Sequence, residues 1–383
     1  MMKRKVCVVV ASRANYGRVK SLLLAIRERP DLELQLIVGA SALLYRFGNA
    51  IEVIRKDGFE PNATVYLVIE GENPTTMAKS TGLAIVELAT IFENLKPDVV
   101  VTVADRYETM ATAIASSYMN IPLAHTQGGE LTGSIDESVR HAITKLAHLH
   151  FPATHKSREH LLQMGEDPHS IWVTGCPSID AISRIDLSLD GVMQKYGGTG
   201  APLDWKKPYL LVMQHPVTTE FGDGLRQIQE TIQAIHELKI QTVWLWPNVD
   251  AGSDDIAKGI RVYRENQKPD FVHFYRNFSV EDYARILNNA ACIVGNSSSG
   301  LREGAYLGTP CVNIGSRQNG RERGQNVLDA DHHTGQIANA VRKQIAHGRY
   351  PRNTLFGDGV SGKKIAEILA TSPLSIHKKL HFA

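Results

Sequence analysis

The sequence lacks the marks of a membrane protein and of a disulfide-rich protein. No apolar stretch approaches the roughly 20 residues needed to span a bilayer, so we predict no membrane partner. The four cysteines are far apart and form no CxxC pair. Three of them, Cys7, Cys292 and Cys311, lie in apolar runs, which indicates buried, reduced thiols rather than disulfides or zinc ligands.

A surplus of one charge is also missing. The 42 basic and 40 acidic residues give a formal net charge of +2, and they form no run of like charges. No bulk attraction to nucleic acid follows, so we predict no nucleic-acid partner. A bound anion must therefore meet a local cluster of basic residues.

The chain shows no secretion signal. The apolar run "VCVVV" after the first basic residues is short, and no small-residue cleavage site follows it. We expect a first strand there, and a cytoplasmic protein. The composition, 43% hydrophobic and 21% charged, is that of a soluble protein, and the length of 383 residues favours two domains.

Common motifs for nucleotides and metals are absent. The loop "ASRANYGR" after the first apolar run has a single glycine instead of GxGxxG, and no GxxxxGK[ST] loop occurs. No HxH or HExxH spacing argues for a metal site. We therefore predict neither a dinucleotide cofactor nor a metal.

What the sequence does contain is a regular alternation of short β-branched runs with helical segments. Strands this apolar are covered on both faces, which is typical of parallel sheets in βαβ units. The runs are "KVCVVVAS", "LELQLIVG", "TVYLVI", "PDVVVTVAD", "IPLAHTQ" and "LHFPAT", then "YLLVMQHP", "QTVWLWPN", "FVHFYRN", "ACIVGNSSSG" and "TPCVNIGS". A polar stretch at 183–207 separates the two series. We predict an α/β protein of two doubly wound domains that face one another.

Polar clusters follow the predicted strands. They lie at 12–18, 104–108 and 125–130 in the first half, and at 214–220, 246–255, 295–303 and 315–324 in the second. Open parallel sheets bind ligands beyond the carboxyl ends of their strands. We therefore predict a site in the cleft between the two domains.

Three of these clusters suggest phosphate binding. Backbone N–H groups at a helix start, with the hydroxyls of Ser297 and Ser298, suit an anion, although a plain serine N-cap is the alternative. Arg317 follows the next strand and favours the phosphate interpretation. Arg13 and Arg18 stand five residues apart at a strand-to-helix turn, where both can reach a diphosphate. Arg18 can equally face solvent.

Carboxylates and one histidine are candidates for proton transfer. Asp105 directly follows a long apolar strand, where it can also be the N-cap of the next helix. Carboxylates gathered in one cleft shift each other's pKa values apart, so Asp105 and Asp136 can divide acid and base roles. Asp136 and Arg140 are spaced i, i+4, and on spacing alone a surface ion pair is favoured. His215 ends a strand and is a candidate proton donor or phosphate partner.

The polar segments form a series along the chain: "SRANYGR", "ADRYE", "GGELTGSIDESVRHAITKLAH", "TGCPSID", "QHPVTT", "PNVDAGS" and "GNSSSGLREGAYLGTPCVNIGSRQNGRERGQNVL". In this order they resemble the hydrolysing UDP-N-acetylglucosamine 2-epimerases of the bacterial sialic-acid pathway. The segment "DESVRHAITKLAH" is similar to the hydrolysing branch rather than to its non-hydrolysing relatives.

The resemblance implies a GT-B fold, in which two Rossmann-like domains clamp a nucleotide sugar. We place the N-terminal domain at 1–185, the UDP-binding domain at 186–365, and a helix and tail that cross back at 366–383. The implied reaction converts UDP-N-acetylglucosamine and water to UDP and N-acetylmannosamine through a glycal, without a cofactor. The resemblance also implies a homodimer or a homotetramer.

Residue roles follow from matched positions. The resemblance implies that Asp105 and Asp136 share the proton transfers at C2, with Arg140 in support, and that His215 assists the departing diphosphate. The implied diphosphate contacts are Arg13, Ser297, Ser298 and Arg317, the ribose contact is Glu303, and the uracil lies at the segment 274–279, which contains Asn277.

This chain departs from the family pattern at several positions. Gln127, which we include in the catalytic group, stands where the family carries an acid, and an amide cannot exchange a proton near neutral pH. The family's aspartate in the first loop is Asn15, its usual glycine is Ala104, and its histidine after the second strand is replaced, with Ser41 nearest. Glu130 is a candidate to supply the missing acid.

Three alternatives remain open from the sequence. The first is the same reaction on UDP-N,N'-diacetylbacillosamine, and the second is a GT-B glycosyltransferase. Such transferases often carry an apolar or basic membrane-facing patch in the first domain, which we do not find. The third is a UDP-sugar sensor without activity, which the retention of Asp105, Asp136 and His215 argues against.

Overall fold

The computed structural model describes residues 3–45, 48–71, 73–247 and 250–381. Asn248 and Val249 of the predicted polar cluster 246–255 lie outside the described residues. The chain forms two compact units. The first comprises Met1–Glu130, Ile135–Arg184 and Phe356–Ala383, and the second comprises Leu131–Ser134 and Ile185–Leu355. These units are groups of residues in contact, and the domain limits inferred from the resemblance stay predictions.

The first unit contains a six-stranded parallel sheet in the order β3-β2-β1-β4-β5-β6. Its strands are β1 (Arg4–Val10), β2 (Leu32–Gly39), β3 (Ala63–Val65), β4 (Val99–Val103), β5 (Leu123–Thr126) and β6 (Leu149–Phe151). Every residue of β4 and β5 is buried, as the continuous apolar runs predict for strands covered on both faces. All six predicted runs of the first half form strands, although β3 ends before the exposed Tyr66.

Helices cover this sheet. They are α1 (Arg13–Gly17), α2 (Lys20–Glu28), α3 (Ala50–Lys56), α4 (Pro74–Leu95), α5 (Tyr107–Tyr118), α6 (Asp136–Leu146), α7 (His155–Gln163) and α8 (Pro177–Ser183). The long helix α4 begins with a capping box between Asn73 and Thr76 and ends at Lys96, which has a left-handed backbone. Within the described ranges, neither α4 nor any other helix is long and apolar enough to cross a membrane.

The second unit contains a seven-stranded sheet in the order β13-β12-β11-β8-β9-β10-β7. Its strands are β7 (Thr199–Gly200), β8 (Leu210–Met213), β9 (Thr242–Leu245), β10 (Val272–Tyr275), β11 (Cys292–Gly295), β12 (Cys311–Ile314) and β13 (Val327–Ala330). All pairs are parallel except β7 with β10. The five predicted runs are strands, whereas β7 lies in the stretch that we interpreted as a connection, and β13 was not predicted.

The helices of the second unit are α9 (Gly224–Leu238), α10 (Ser253–Gln267), α11 (Val280–Asn289), α12 (Ser298–Leu301), α13 (Glu303–Leu307) and α14 (Thr334–His347). Their apolar faces join the strands in one buried cluster, in which Trp244 of β9 packs with Tyr263 of α10 and Phe274 of β10. Burial of these large rings adds to the hydrophobic stabilisation of this unit.

The last helix, α15 (Ser361–Thr371), belongs to the first unit and packs on α2 and α8. The carboxylate of Asp180, on α8, accepts hydrogen bonds from the backbone N–H groups of Ser361 at 2.9 Å and Gly362 at 2.7 Å. It also accepts from the hydroxyl of Ser21 at 2.9 Å. A Cβ at Gly362 would lie only 2.6 Å from the backbone nitrogen of Leu22, so the helix approaches α2 closely because this residue is glycine.

We expect Asp180→Asn to weaken the attachment of α15, because it removes a negative charge from the N–H groups at a helix start. The free energy of unfolding should fall by about 1 kcal/mol, seen as a lower urea midpoint at unchanged slope. Amide hydrogen exchange in α15 should accelerate. The exposed Asp190→Asn is the matched control, and an equal loss in both variants would contradict the assignment.

Candidate active site

Three strands of the first sheet end in the same unusual backbone conformation. Ala40 after β2, Ala104 after β4 and Gln127 after β5 have φ of 51°, 64° and 63°. This left-handed conformation costs a residue other than glycine roughly 1–2 kcal/mol. Strained residues cluster at functional sites, where the surrounding structure holds them. The carboxyl edge of the first sheet is therefore a candidate location for a functional site.

Arg140 joins the charged groups of this edge. Its side chain is 0% exposed, and its guanidinium donates to a carboxylate oxygen of Asp105 and, at 2.7 Å, to the backbone oxygen of Glu130. Asp105 itself is only 7% exposed. Spacing alone favoured a surface ion pair for Arg140, and that interpretation is wrong because the side chain is buried. Asp136 is the first residue of α6, partly buried and one helical turn before Arg140.

His125 holds the turn that precedes Asp105. Its Nε2 lies 2.7 Å from the backbone oxygen of Ala104 and must donate to it, which leaves Nδ1 to accept from the hydroxyl of Thr144 at 3.3 Å. Burial lowers the pKa of His125 to about 3, although the bond to the Ala104 carbonyl opposes this effect. The ring is thus neutral at pH 7, and it connects β5 to the end of β4.

The Gly-Gly pair of the "HTQGGE" loop is required by close packing. Gly129 has φ of 78°, and a Cβ there would lie 2.2 Å from the backbone oxygen of Ser157. Its own carbonyl accepts a hydrogen bond from Nδ1 of His160 at 2.7 Å. The loop therefore lies against the start of α7. It places the buried Glu130 where its backbone oxygen contacts Arg140.

Gln127 is buried in a chain of polar side chains. Its Nε2 donates to Sγ of Cys176 at 3.0 Å, and this sulfur lies 3.1 Å from the hydroxyl of Ser178. Among the described residues, Oε1 of Gln127 has no hydrogen-bond partner. All four cysteines of the chain, Cys176 among them, are buried and free of disulfides.

The loop after β1 forms the short helix α1. Ser12 caps it by accepting from the backbone N–H of Asn15 at 3.1 Å. Arg13 is its first residue and Arg18 follows its last, and both side chains are partly buried. Asn15 is buried, and its Oδ1 accepts from the N–H of Ala11 at 3.3 Å. Its Nδ2 finds no partner in the part of the chain that the structure describes.

In the second unit, Asn296 connects the ends of three neighbouring strands. Its side chain accepts from the N–H of His215 at 2.7 Å and donates to the His215 carbonyl at 2.8 Å. Its own carbonyl accepts from Nε2 of Gln318 at 2.8 Å and from the guanidinium of Arg317 at 3.3 Å. Arg317 also lies 3.8 Å from Asp250. The buried His215 and the partly buried Arg317 thus meet at one edge of the second sheet.

The remaining predicted residues follow strands of the same sheet. Ser297 caps α12, with its hydroxyl accepting from the N–H of Ser299 at 3.4 Å, so the N-cap interpretation describes an observed contact. Ser298 is the first residue of α12 and Glu303 the first of α13. Asn277 follows β10, and its Oδ1 is without a partner within the described ranges.

The predicted residues therefore belong to two groups, one in each unit. The first group is Arg13, Arg18, Asp105, Gln127, Asp136 and Arg140, and the second is His215, Asn277, Ser297, Ser298, Glu303 and Arg317. That both groups line one cleft stays a prediction. In residues 3–45, 48–71, 73–247 and 250–381, no cluster of three or more His, Cys, Asp or Glu side chains has the geometry for a metal ion.

Sequence reasoning missed three contributors to these groups. Asn296 had a signal, because it directly follows a strand in "GNSSSG". His125 lies in the loop motif itself, but its role depends on contacts with Ala104 and Thr144 that spacing does not reveal. The sequence gives no signal for the contact of Cys176 with Gln127, because 49 residues separate them.

Comparisons with known proteins identify the family of this chain. The family profile described as UDP-N-acetylglucosamine 2-epimerase matches residues 24–370. This chain belongs to the UDP-N-acetylglucosamine 2-epimerase family. It is 34% identical over 374 residues to the hydrolysing UDP-N,N'-diacetylbacillosamine 2-epimerase of Legionella pneumophila, covering 97% of both chains. It is 30% identical over 372 residues to the UDP-N-acetylglucosamine 2-epimerase of Neisseria meningitidis, covering 96% of this chain and 95% of that one.

Solved structures agree on the fold. S. aureus MnaA in complex with UDP has a TM-score of 0.78 at 18% identity, covering 99% of this chain and 100% of that one. The Neisseria meningitidis enzyme bound to UDP-GlcNAc has a TM-score of 0.78 at 17% identity, covering 95% and 99%. At such identities the likeness concerns the fold alone. It confirms the predicted GT-B fold built from two Rossmann-like domains.

We expect the buried His125 to make stability depend on pH. Its pKa is lower in the folded state, so its contribution is complete above pH 6.5 and is lost as the pH falls towards about 3. Over that range the free energy of unfolding should fall by about 1.4 kcal/mol per pH unit through this group. His125→Asn should flatten the profile from urea unfolding between pH 4 and 6, whereas the exposed His169→Asn should not. Parallel profiles in all three proteins would contradict the assignment.

Proposed function

We propose that this protein is a hydrolysing 2-epimerase of a UDP-linked 2-acetamido sugar. The first candidate reaction converts UDP-N-acetylglucosamine and water to UDP and N-acetylmannosamine, for the synthesis of sialic-acid-type sugars. The observation that carries the proposal is the buried pair of Asp105 and Arg140, with Asp136 one helical turn away, in a chain of this family. Two similar proteins, from Legionella pneumophila and Campylobacter jejuni, are hydrolysing 2-epimerases by name, which supports the hydrolysing branch.

The chemistry explains why such a pair is needed. The C2 hydrogen is not adjacent to a carbonyl, so its removal requires positive charge at C1 as the bond to UDP breaks, and a well-placed base. The electrons of the C2–H bond form the C1–C2 double bond of a glycal. Water then adds its hydroxyl to C1, and a proton returns to C2 from the opposite face. Two carboxylates can serve the two faces.

We assign the roles as follows. Asp105 and Asp136 exchange the protons at C2, and Arg140 orients the carboxylate of Asp105 through its buried contact. His215 assists the departing diphosphate. The diphosphate contacts are Arg13, Arg18, Ser297, Ser298 and Arg317, with Glu303 at the ribose and Asn277 in the segment at the uracil. We further propose a cytoplasmic homodimer or homotetramer.

A second candidate substrate is UDP-N,N'-diacetylbacillosamine. The hydrolysing 2-epimerase of Legionella pneumophila that carries this name aligns with 97% of this chain, and a Campylobacter jejuni relative with a similar name is 32% identical over 333 residues. Both sugars carry the 2-acetamido group, so the chemistry at C2 is common to them. The family match gives no support to the glycosyltransferase alternative.

Incubation with UDP-N-acetylglucosamine in heavy water tests the reaction. We expect UDP and free N-acetylmannosamine with deuterium at C2, because the returning proton comes from solvent, measured by NMR and mass spectrometry. UDP-N-acetylmannosamine as the product would mean the non-hydrolysing reaction. Turnover of UDP-N,N'-diacetylbacillosamine alone would select the second candidate.

Asp105→Asn tests the proposed base. We expect kcat/KM to fall at least about 100-fold, because the amide cannot accept the C2 proton. Calorimetric affinity for UDP should stay the same, since the change spares the diphosphate contacts, and circular dichroism should verify folding. Asp190→Asn is the control with the same chemical change at an exposed position. Full activity of Asp105→Asn would remove this residue from the mechanism.

A further inference from the structure

Two buried amide side chains occupy the carboxyl edge of the first sheet on either side of Asp105. Asn15 follows β1, Asp105 follows β4 and Gln127 follows β5, and these strands are consecutive in the sheet order. The Asn15 side chain accepts from the N–H of Ala11, the residue directly after β1. Adjacent strands lie about 4.8 Å apart, so the carboxyl ends of β1 and β5 lie roughly 10 Å from each other, with the end of β4 between them.

Each amide has one buried hydrogen-bonding atom without a partner among the described residues. Asn15 and Gln127 are both 1% exposed, and within the described residues Nδ2 of Asn15 and Oε1 of Gln127 have no partner. An unsatisfied buried polar atom costs about 1–3 kcal/mol. Gln127 bears the additional cost of its left-handed backbone. Such costs at a catalytic edge indicate atoms whose partner arrives with a ligand.

The surrounding contacts determine which atom of each amide is left without a hydrogen-bond partner. The N–H of Ala11 can only donate, so the Asn15 oxygen must face it and the Asn15 Nδ2 remains as a donor. Nε2 of Gln127 donates to the sulfur of Cys176, whose S–H can donate in turn to the hydroxyl of Ser178. Oε1 of Gln127 therefore remains as an acceptor. The edge offers one donor and one acceptor, and neither group ionises.

We propose that Asn15 and Gln127 bind the 2-acetamido group of the sugar. In a trans amide the N–H and the C=O point in opposite directions, which matches an acceptor on one side of Asp105 and a donor on the other. Asn15 donates to the acetamido carbonyl, and Gln127 accepts from the acetamido N–H. The inference rests on the proposed function, because Asp105 is there the group that meets the hydrogen at C2, the carbon that carries the acetamido group.

This assignment changes the role of Gln127. The sequence placed it in the catalytic group, whereas an amide with an open acceptor is suited to binding and to orientation. Holding both ends of the acetamido group fixes the direction of the C2–H bond towards Asp105. Gln127 is thus a specificity and positioning residue, and Cys176 orients its amide.

Binding measurements in the Asp105→Asn background test the proposal without turnover. The probes are UDP-N-acetylglucosamine, UDP-glucose, in which a hydroxyl replaces the acetamido group, and UDP. We expect UDP-N-acetylglucosamine to bind roughly 10- to 100-fold more tightly than UDP-glucose. Adding Asn15→Asp, which keeps the oxygen that faces Ala11, or Gln127→Met should bring that ratio close to one and leave the affinity for UDP unchanged.

Gln35→Met is the matched control. Gln35 is also a buried amide of the first unit, with Nε2 bonded to the carbonyl of Leu95 at 2.9 Å and with Oε1 lacking a partner among the described residues. It lies in the middle of β2 instead of at the carboxyl edge of the sheet. Added to the Asp105→Asn protein, this change should leave the ratio of the affinities for UDP-N-acetylglucosamine and UDP-glucose unaltered, even if the stability of the protein falls.

The outcomes separate this inference from the proposed function. A parent protein that binds both sugar nucleotides equally, or variants that keep the parent ratio, would overturn the inference even if heavy-water experiments show epimerisation. The inference would be supported if Asn15→Asp and Gln127→Met bind UDP-N-acetylglucosamine and UDP-glucose equally while Gln35→Met keeps its preference for UDP-N-acetylglucosamine. This holds even if the reaction proves to be different. In the active protein, the same variants should raise KM for UDP-N-acetylglucosamine more than they lower kcat.

Discussion

The contact between Arg140 and Asp105 is the constraint on which the first unit's site depends. A guanidinium with no exposure needs a matching charge and hydrogen-bond acceptors; Asp105 supplies the charge, and Asp105 and the Glu130 carbonyl accept from its two terminal nitrogens. Removing one partner of such a buried pair costs about 3–5 kcal/mol. The pair therefore joins β4, the Gly-Gly loop and α6 into one arrangement, and it gives Asp105 a fixed direction before any ligand binds.

Backbone strain at the same edge is held by neutral contacts. Ala104 has a left-handed conformation that alanine disfavours, and the buried ring of His125 binds its carbonyl. The second unit has an equivalent device, because the side chain of Asn296 forms two hydrogen bonds with the backbone of His215. In both units a buried polar side chain at or directly after a neighbouring strand forms hydrogen bonds with the backbone at or beside a proposed catalytic residue. Such contacts hold the irregular backbone at the sheet edge in one conformation.

The sequence predicted the architecture well because apolar runs of strand length are covered on both faces in a parallel sheet. The edge strands β7 and β13 escaped prediction, since one has only two residues and the other has exposed positions. The polar residues after strands were predicted as a set, yet their pairing was not. Arg140 contacts Asp105 across 35 residues and Gln127 contacts Cys176 across 49. Such contacts follow from strand order, which periodicity does not determine.

The site contains both charged side chains and neutral amides. Arg140 is bonded to Asp105 and Arg317 to the Asn296 carbonyl, and such preorganised charges act on the developing charge of a reaction without further rearrangement. Two neutral amides of the first unit, Asn15 and Gln127, each have one buried atom without a partner among the described residues. A neutral amide leaves the protonation of nearby carboxylates undisturbed, whereas a third acid beside Asp105 would raise the pKa of its neighbours. The amide at Gln127 is therefore compatible with a two-carboxylate mechanism, in which recognition of the sugar and transfer of its proton are assigned to different side chains.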